Sequence, residues 1–272
     1  MTPLLFVIIL SIVEGITEFL PVSSTGHMIL VEQFIGKDIF SKAFMNNFLV
    51  IVQLGAILAV VIYFWKDISP FVKTKEEFTQ KFRLWLKIIV GVLPAAIIGL
   101  LLDDIIEEYF LDNVLVIAIT LIFYGLILIV VEKQNKVKNN IAPINTFAKL
   151  KYKTAFFIGF FQCLAMIPGT SRSGATIIGS LLLGLSRSLA AEFSFYLAIP
   201  TMFGATLLKV LKSGLNFSSE ELIYLALGTF LSFVVAYISI KWLMNFLKRK
   251  DFVFFGIYRI TIGIIILISI LF

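Results

Sequence analysis

The chain has 272 residues, of which 60% are hydrophobic and only 15% are charged. This composition excludes a soluble globular protein and is typical of a polytopic membrane protein. The net charge of +6 predicts lysine-rich cytoplasmic loops rather than a nucleic-acid partner. The single cysteine, Cys163, excludes an intramolecular disulfide and any multi-cysteine metal site.

The first predicted element, about 3–35, contains a polar segment in an apolar context, Glu14-Gly-Ile-Thr-Glu-Phe-Leu-Pro-Val-Ser-Ser-Thr-Gly-His27. Glu14 and Glu18 share one face of a helix, where two bare carboxylates would repel each other. A proton, a metal ion or an arginine is therefore expected beside them. Pro21 ends this helix, and a break inside a membrane is tolerated only where its backbone faces protein or water.

Six further apolar segments are close to the roughly 20 residues that cross a bilayer. They lie at about 44–65, 84–102, 114–132, 190–211, 222–244 and 253–272. A second helix–break–helix covers about 154–187. Both broken elements have halves too short to cross alone, so we predict two re-entrant hairpins, hairpin 1 (3–35) and hairpin 2 (154–187). The predicted fold is an all-α polytopic membrane protein with a single domain over 1–272.

Loop charges predict the orientation of the spans. Alternate loops differ in positive charge, with 14 lysines and arginines in one set and three in the other. The rich set is 66–83, 133–153 and 245–252, and the poor set is 31–43, 103–113 and 212–221. Because positive loops stay in the cytoplasm, both termini are predicted to lie outside. Hairpin 1 then enters from the outside and hairpin 2 from the cytoplasm.

An internal repeat appears when the chain is shifted by 148 residues. Glu14 then meets Gln162, Ser23 meets Ser171, Thr25 meets Ser173 and Gly26 meets Gly174. The halves, about 1–132 and 154–272, each contain a hairpin and three spans, and a cytoplasmic linker, 133–153, joins them. Since three is odd, the second half is predicted to run inverted. Paired broken helices in inverted repeats place a binding site near the bilayer midplane.

The second motif lies in hairpin 2 and reads Pro168-Gly-Thr-Ser-Arg-Ser-Gly-Ala-Thr176. Arg172 requires an anion in the membrane, and its planar guanidinium suits phosphate or carboxylate. A helix restarting near Ser173 would direct its positive end at the same anion. The candidate substrate-binding residues are Ser23, Thr25, Gly169, Thr170, Ser171, Ser173 and Thr176.

The first motif is expected opposite this phosphate cradle. Mg²⁺ or Ca²⁺ would reconcile paired carboxylates with a phosphate, so Glu14 and Glu18 are candidate metal ligands. The alternative is that the two glutamates clamp Arg172. Ser24 and His27, three residues apart on a restarting helix, are the candidate nucleophile and base. An N-cap role for Ser24 is also open.

These residues favour phosphoryl transfer on a membrane-embedded substrate. A lipid transporter or flippase is the alternative, because inverted repeats with broken helices are also transporter architecture. The buried charges disfavour a purely structural protein. Outside the two motifs, Arg187 and Arg259 lie near span ends and are predicted to snorkel to the interface.

The two motifs, Glu14–His27 and Pro168–Thr176, closely resemble the signature motifs of the bacterial undecaprenyl-diphosphatases, the bacitracin-resistance membrane family. The resemblance covers the whole chain in length and hydropathy order, and it includes Phe161–Leu164 and Glu192–Phe195. It implies an enzyme that removes the terminal phosphate of undecaprenyl diphosphate. The monophosphate product is the carrier lipid of peptidoglycan synthesis.

The same resemblance implies that Glu14, Glu18, Ser24, His27 and Arg172 are essential and that a divalent cation is required. It also implies a site facing the outer side of the bacterial cell membrane, with the lipid substrate and the bilayer as partners. Three points stay open: the metal, the nucleophile among Ser24, His27 and water, and the oligomeric state, for which a homodimer is one candidate.

Overall fold

We describe the chain from a computed structural model over residues 1–36, 39–110, 113–137, 142–213 and 217–271. Parts of four predicted loops, at 37–38, 111–112, 138–141 and 214–216, lie outside these residues. The α-helices of the described ranges are α1 (Pro3–Thr17), α2 (Ser24–Val31), α3 (Lys42–Ile51), α4 (Gln53–Tyr63), α5 (Trp65–Ile68), α6 (Lys75–Phe110), α7 (Val114–Val137), α8 (Tyr152–Cys163), α9 (Arg172–Leu182), α10 (Arg187–Ser213), α11 (Ser219–Leu247) and α12 (Val253–Leu271).

Six helical segments in the described part are long and apolar enough to cross a membrane, which confirms the predicted all-α polytopic class. They are Lys42–Tyr63, Lys75–Leu102, Val114–Asn135, Arg187–Leu211, Ser219–Leu247 and Val253–Ile270. The largest boundary difference is at α6, which begins at Lys75 rather than near 84 and continues to Phe110. Lysine, glutamate and glutamine are good helix formers, so this helix extends into polar sequence beyond its apolar segment.

The two broken elements are pairs of short helices, as predicted. In hairpin 1, α1 has 15 residues and α2 has 8. In hairpin 2, α8 has 12 residues and α9 has 11. At about 1.5 Å per residue, none of these helices reaches across the roughly 30 Å of a bilayer core.

The packing of the helices is reciprocal between the two halves. Helix α1 of the first half packs on α11 of the second, and α8 of the second half packs on α6 of the first. Helix α4 likewise packs on α11, α10 packs on α6, and α7 pairs with α12. This exchange of partners is what two related halves would produce. The inverted orientation of the second half and the division of the chain at the linker stay predictions.

Two glycines allow each hairpin to lie close against the long helix on which it packs. A Cβ atom on Gly15 of α1 would lie 2.9 Å from the Ser232 carbonyl oxygen of α11. A Cβ atom on Gly159 of α8 would meet the Gly91 carbonyl oxygen of α6. Small residues at these points let the helix backbones approach closely, as is common inside membranes. Each hairpin is therefore held against a long helix of the other half.

The linker is docked rather than extended where the structure describes it. The Ile144 N–H donates to the Gly184 carbonyl oxygen at 3.1 Å, in the turn that follows α9. Lys87 of α6 donates its Nζ to the Phe147 carbonyl oxygen at 2.7 Å. Residues 142–151 therefore pack against the end of hairpin 2.

Candidate active site

The break of hairpin 1 begins directly after the two glutamates. Helix α1 ends just before Glu18, whose N–H still donates to the Glu14 carbonyl oxygen at 2.9 Å. The chain then turns, and Ser23 adopts a φ of 76° before α2 begins at Ser24. The Ser23 hydroxyl oxygen accepts the Gly26 N–H at 3.3 Å, so Ser23, not Ser24, caps α2.

Hairpin 2 repeats this local geometry 148 residues later. Ser171 has a φ of 73°, and its hydroxyl oxygen accepts the Gly174 N–H at 3.1 Å. Helix α9 then begins at Arg172. Within the described ranges, Ser23 and Ser171 are the non-glycine residues with positive φ. This backbone conformation is costly for serine, so its presence at equivalent points of both breaks indicates a shared construction.

The Glu18 carboxylate joins the two breaks. Its Oε2 accepts the Ser24 hydroxyl at 2.5 Å, and its Oε1 accepts Arg172 Nη2 at 3.2 Å. Arg172 Nη1 donates to the Ser194 carbonyl oxygen at 2.9 Å, and the guanidinium lies 5.8 Å from the centre of the Phe19 ring. One carboxylate therefore orients both the candidate nucleophile and the candidate phosphate-binding cation.

Glu14, one helical turn earlier, is fully buried, and its hydrogen bonding differs from that of Glu18. No hydrogen-bond donor of the described residues reaches either of its carboxylate oxygens, and the carboxylate faces the like charge of Glu18. A buried carboxylate without a partner is costly. The sequence left two roles open for the pair, and the structure divides them. Glu18 holds Arg172, while Glu14 is left for a proton or a cation.

The unpartnered Glu14 oxygens fit a hard divalent cation. Mg²⁺ and Ca²⁺ prefer carboxylate and phosphate oxygens, and Mg²⁺ commonly takes one or two protein carboxylates plus substrate phosphates and water. Within the described residues no three His, Cys, Asp or Glu side chains converge on one point. An ion held by Glu14 and Glu18 would need its remaining ligands from phosphate and water oxygens.

His27 is held by groups other than Ser24. Its Nδ1 lies 2.7 Å from the Ser23 carbonyl oxygen, and its Nε2 lies 2.8 Å from the Tyr258 hydroxyl oxygen. The predicted pairing of Ser24 with His27 is not found among the described contacts. One ring nitrogen is hydrogen-bonded to the carbonyl of Ser23, four residues before His27, and the other is hydrogen-bonded to Tyr258 of α12. Glu18 is the group placed to accept the Ser24 hydroxyl proton.

The hydroxyls predicted to bind phosphate differ in what they already contact. Ser173 Oγ donates to the Leu20 carbonyl oxygen at 2.9 Å and so links the two hairpins. Thr176 Oγ1 donates to the Ser194 hydroxyl oxygen at 2.7 Å. Thr25 is exposed at the start of α2. Of these three hydroxyls, Thr25 is the one directed out of the packed interior.

Sequence reasoning missed Arg259, which ties the two breaks together. Its Nη1 donates to the Pro21 carbonyl oxygen at 3.1 Å, and its Nη2 donates to the Gly169 and Thr170 carbonyl oxygens, both at 2.9 Å. Arg259 is 1% exposed, so the prediction that it snorkels is wrong. Carbonyls freed by the two breaks satisfy the guanidinium inside the protein. Its position seven residues into an apolar helix was the available signal.

Arg187 was also predicted to snorkel, and its side chain is partly exposed at the start of a span while its guanidinium pairs with a buried carboxylate. Its Nη2 donates to Glu132 Oε2 at 2.7 Å, and its Nε donates to Glu132 Oε1 at 3.0 Å. Glu132 is fully buried, and its Oε1 also accepts the Phe252 N–H at 3.1 Å. This ion pair joins the end of α7 to the starts of α10 and α12, away from the two breaks.

Comparison with known proteins identifies sequence relatives of this chain. Residues 7–265 match the family described as "Bacitracin resistance protein BacA". The chain is 70% identical over 262 residues to an undecaprenyl-diphosphatase of Fusobacterium nucleatum subsp. nucleatum, covering 96% of this chain and 98% of the relative. It is 52% identical over 273 residues to an undecaprenyl-diphosphatase of Acetivibrio thermocellus, covering 98% of both chains. It is 52% identical over 269 residues to an undecaprenyl-diphosphatase of Enterococcus faecalis, covering 97% and 96%.

Proposed function

The chain belongs to the bacitracin resistance protein BacA family, and we propose that it hydrolyses undecaprenyl diphosphate to undecaprenyl phosphate and inorganic phosphate. The observation that carries this proposal is the set of contacts among Ser24, Glu18 and Arg172 where the two breaks meet. A hydroxyl on a carboxylate, beside a guanidinium, supplies a nucleophile, a base and a phosphate-binding group. The product returns to peptidoglycan synthesis, and its recycling fits the resistance in the family's name.

The alternative of a lipid transporter is less well supported. A transporter needs a binding site at its broken helices, but it does not need a serine hydroxyl held at 2.5 Å by a buried carboxylate. The test is the release of inorganic phosphate from undecaprenyl diphosphate by the purified protein in detergent. A transporter without hydrolytic activity would release none.

The proposed reaction has two steps. The Ser24 hydroxyl oxygen attacks the terminal phosphorus while its proton passes to Glu18, and undecaprenyl phosphate leaves. Water then hydrolyses the phosphoserine and releases inorganic phosphate. Arg172 offsets the charge that develops on the phosphate oxygens. A divalent cation at Glu14 and Glu18 would neutralise further charge on the diphosphate.

Ser24→Ala should lower kcat by more than about 10²-fold, beyond the loss expected from one positioning contact. Rapid quench with substrate labelled in the terminal phosphate should trap acid-stable label on Ser24. Label that is acid-labile and base-stable would instead identify His27 as the nucleophile. A lack of covalent label would indicate direct attack by water. A Ser24→Ala variant that keeps more than about a hundredth of the wild-type kcat would make Ser24 a substrate ligand.

Glu14→Gln should weaken the response to metal, because it replaces a carboxylate whose oxygens have no hydrogen-bond partner among the described residues. The concentration of Mg²⁺ or Ca²⁺ giving half-maximal activity should rise by about 10–100-fold. Calorimetric titration with the metal alone should show the same loss of affinity. Glu76→Gln, at an exposed position in the first turn of α6, is the matched control. Full wild-type activity in excess chelator would rule out the metal role.

We also propose that the protein lies in the bacterial cell membrane with its site facing outward, which rests on the loop charges. Asn113 and Ala148 are exposed, at the start of α7 and in the linker. In a Cys163→Ala background, Asn113→Cys should react with an impermeant thiol reagent in whole cells, and Ala148→Cys should react only after permeabilisation. The opposite labelling pattern would reverse the orientation and place the site on the cytoplasmic side.

A further inference from the structure

Tyr258 of α12 contacts the site through the one histidine of the chain. Its hydroxyl oxygen lies 2.8 Å from His27 Nε2, although the two residues are 231 positions apart. Neither motif contains Tyr258, and the two-step reaction does not use it.

The hydrogen bonds of His27 determine its tautomer. The Ser23 carbonyl oxygen, 2.7 Å from Nδ1, can only accept a hydrogen bond, so Nδ1 carries the ring hydrogen. In a neutral imidazole the other nitrogen then has a lone pair, and Nε2 accepts the Tyr258 hydroxyl. The Ser23 carbonyl therefore sets the tautomer of His27, and the Tyr258 hydroxyl donates to the nitrogen that is left without a hydrogen.

The geometry of the rings supports a positioning role. The His27 and Tyr258 ring planes differ by 5°, and their centroids are 5.6 Å apart. The Tyr258 ring therefore stacks beside the imidazole in addition to meeting it through the hydroxyl. The neighbouring residue, Arg259, is bound to carbonyls of both breaks. The contacts of Arg259 therefore fix the backbone position of its neighbour, Tyr258, relative to the two breaks.

We propose that Tyr258 is a positioning residue of the phosphatase site, which donates to His27 Nε2 and holds the imidazole turned toward α12. The proposal rests on the proposed function for its effect on rate, but the state of the histidine can be measured without any activity. The loss of one hydrogen bond of this kind typically changes a rate or an equilibrium by about 2–10-fold. Helix α12 then supplies part of the site, in addition to the two hairpins.

The test uses the full chain labelled with ¹⁵N-histidine, which gives one imidazole signal pair because the chain has a single histidine. The wild type should show a protonated Nδ1 and an unprotonated, hydrogen-bonded Nε2. In Tyr258→Phe the Nε2 resonance should move toward that of an unprotonated nitrogen without a hydrogen bond, and kcat should fall by about 2–10-fold with KM nearly unchanged.

The matched control is Tyr224→Phe. It removes a tyrosine hydroxyl that donates to Glu220 at 2.6 Å, on the exposed first turns of α11, and it should change neither the histidine spectrum nor kcat. Thermal unfolding in detergent should be equal for the three proteins. A wild-type spectrum with the hydrogen on Nε2, or a Tyr258→Phe protein with wild-type spectrum and kcat, would overturn the proposal. A wild type that releases no phosphate would overturn the proposed function, and the spectra would still decide the role of Tyr258.

Discussion

Arg172→Lys is expected to lower kcat by about 10²–10³-fold, and Arg172→Ala by about 10³–10⁵-fold. The guanidinium uses Nη2 for Glu18 at 3.2 Å and Nη1 for the Ser194 carbonyl oxygen at 2.9 Å. A lysine ammonium keeps the charge, but it cannot span these two partners and still offer a planar pair of donors to a phosphate. The loss should appear in kcat as well as in KM, because stabilisation confined to the transition state acts on kcat.

A matched control separates this effect from a general sensitivity to arginine replacement. Arg83→Lys changes an exposed arginine on α6, outside both hairpins, and it should leave kcat and KM at wild-type values. Steady-state kinetics of purified proteins with undecaprenyl diphosphate would measure both pairs of constants. An Arg172→Lys protein with wild-type kcat would reduce Arg172 to a simple counter-charge for Glu18.

Glu18→Gln is expected to lower kcat by about 10²–10⁴-fold, the range of a lost general base. The carboxylate accepts from Ser24 through one oxygen and from Arg172 through the other. Glutamine keeps the size of the side chain, but it has one acceptor oxygen and no charge. It can therefore satisfy only one of the two donors, and it cannot take the serine proton. Phosphate release in single-turnover experiments would measure the chemical step directly.

Two control variants, Glu18→Asp and Glu76→Gln, test whether the loss is specific to the Glu18 carboxylate. The aspartate keeps the charge with a shorter reach, so it should recover part of the activity that glutamine loses. Glu76 is exposed in the first turn of α6, and its replacement by glutamine should be neutral. If Glu18→Gln kept the wild-type single-turnover rate, the base would have to be sought elsewhere, with His27 as the first candidate.

The membrane-spanning helices were predictable because a bilayer imposes its thickness on the sequence. Apolar segments of the required length located all six spans, and polar motifs with Pro21 and Pro168 located both breaks. The end of α6 was not predictable in this way, because beyond the bilayer nothing in hydropathy distinguishes a continuing helix from a loop. The docking of Phe147 and Lys87 was not predictable either, since it depends on residues 60 positions apart.

The site was predictable where its chemistry is local in sequence. The positions of Glu14, Glu18, Ser24 and Arg172 required no knowledge of the fold, because each is polar in an apolar surrounding. Their partners did require it. The predicted base for Ser24 was the nearest histidine, and the structure instead places there a carboxylate from across the break.

Of the distant members of the site, Arg259 carried one signal, its position inside an apolar helix, and Tyr258 carried none. Tyr258 and Arg259 come from α12, and each meets hairpin 1 over more than 200 positions of sequence. A tyrosine in an apolar helix is ordinary, and a single arginine near a span end usually reaches the interface. The contacts of their side chains with the two breaks distinguish these residues from lipid-facing ones.

Arg259 lies near the end of the chain, so it is synthesised long after the groups that it binds. Its carbonyl partner Pro21 is translated 238 positions earlier, which at about 5–20 residues per second is a wait of roughly 12–48 s. Over the last 83 of these positions, after Thr176, both motifs have been translated but Arg259 has not. A nascent chain at that stage has every motif residue and lacks the arginine that links the Pro21 carbonyl of one break to the Gly169 and Thr170 carbonyls of the other.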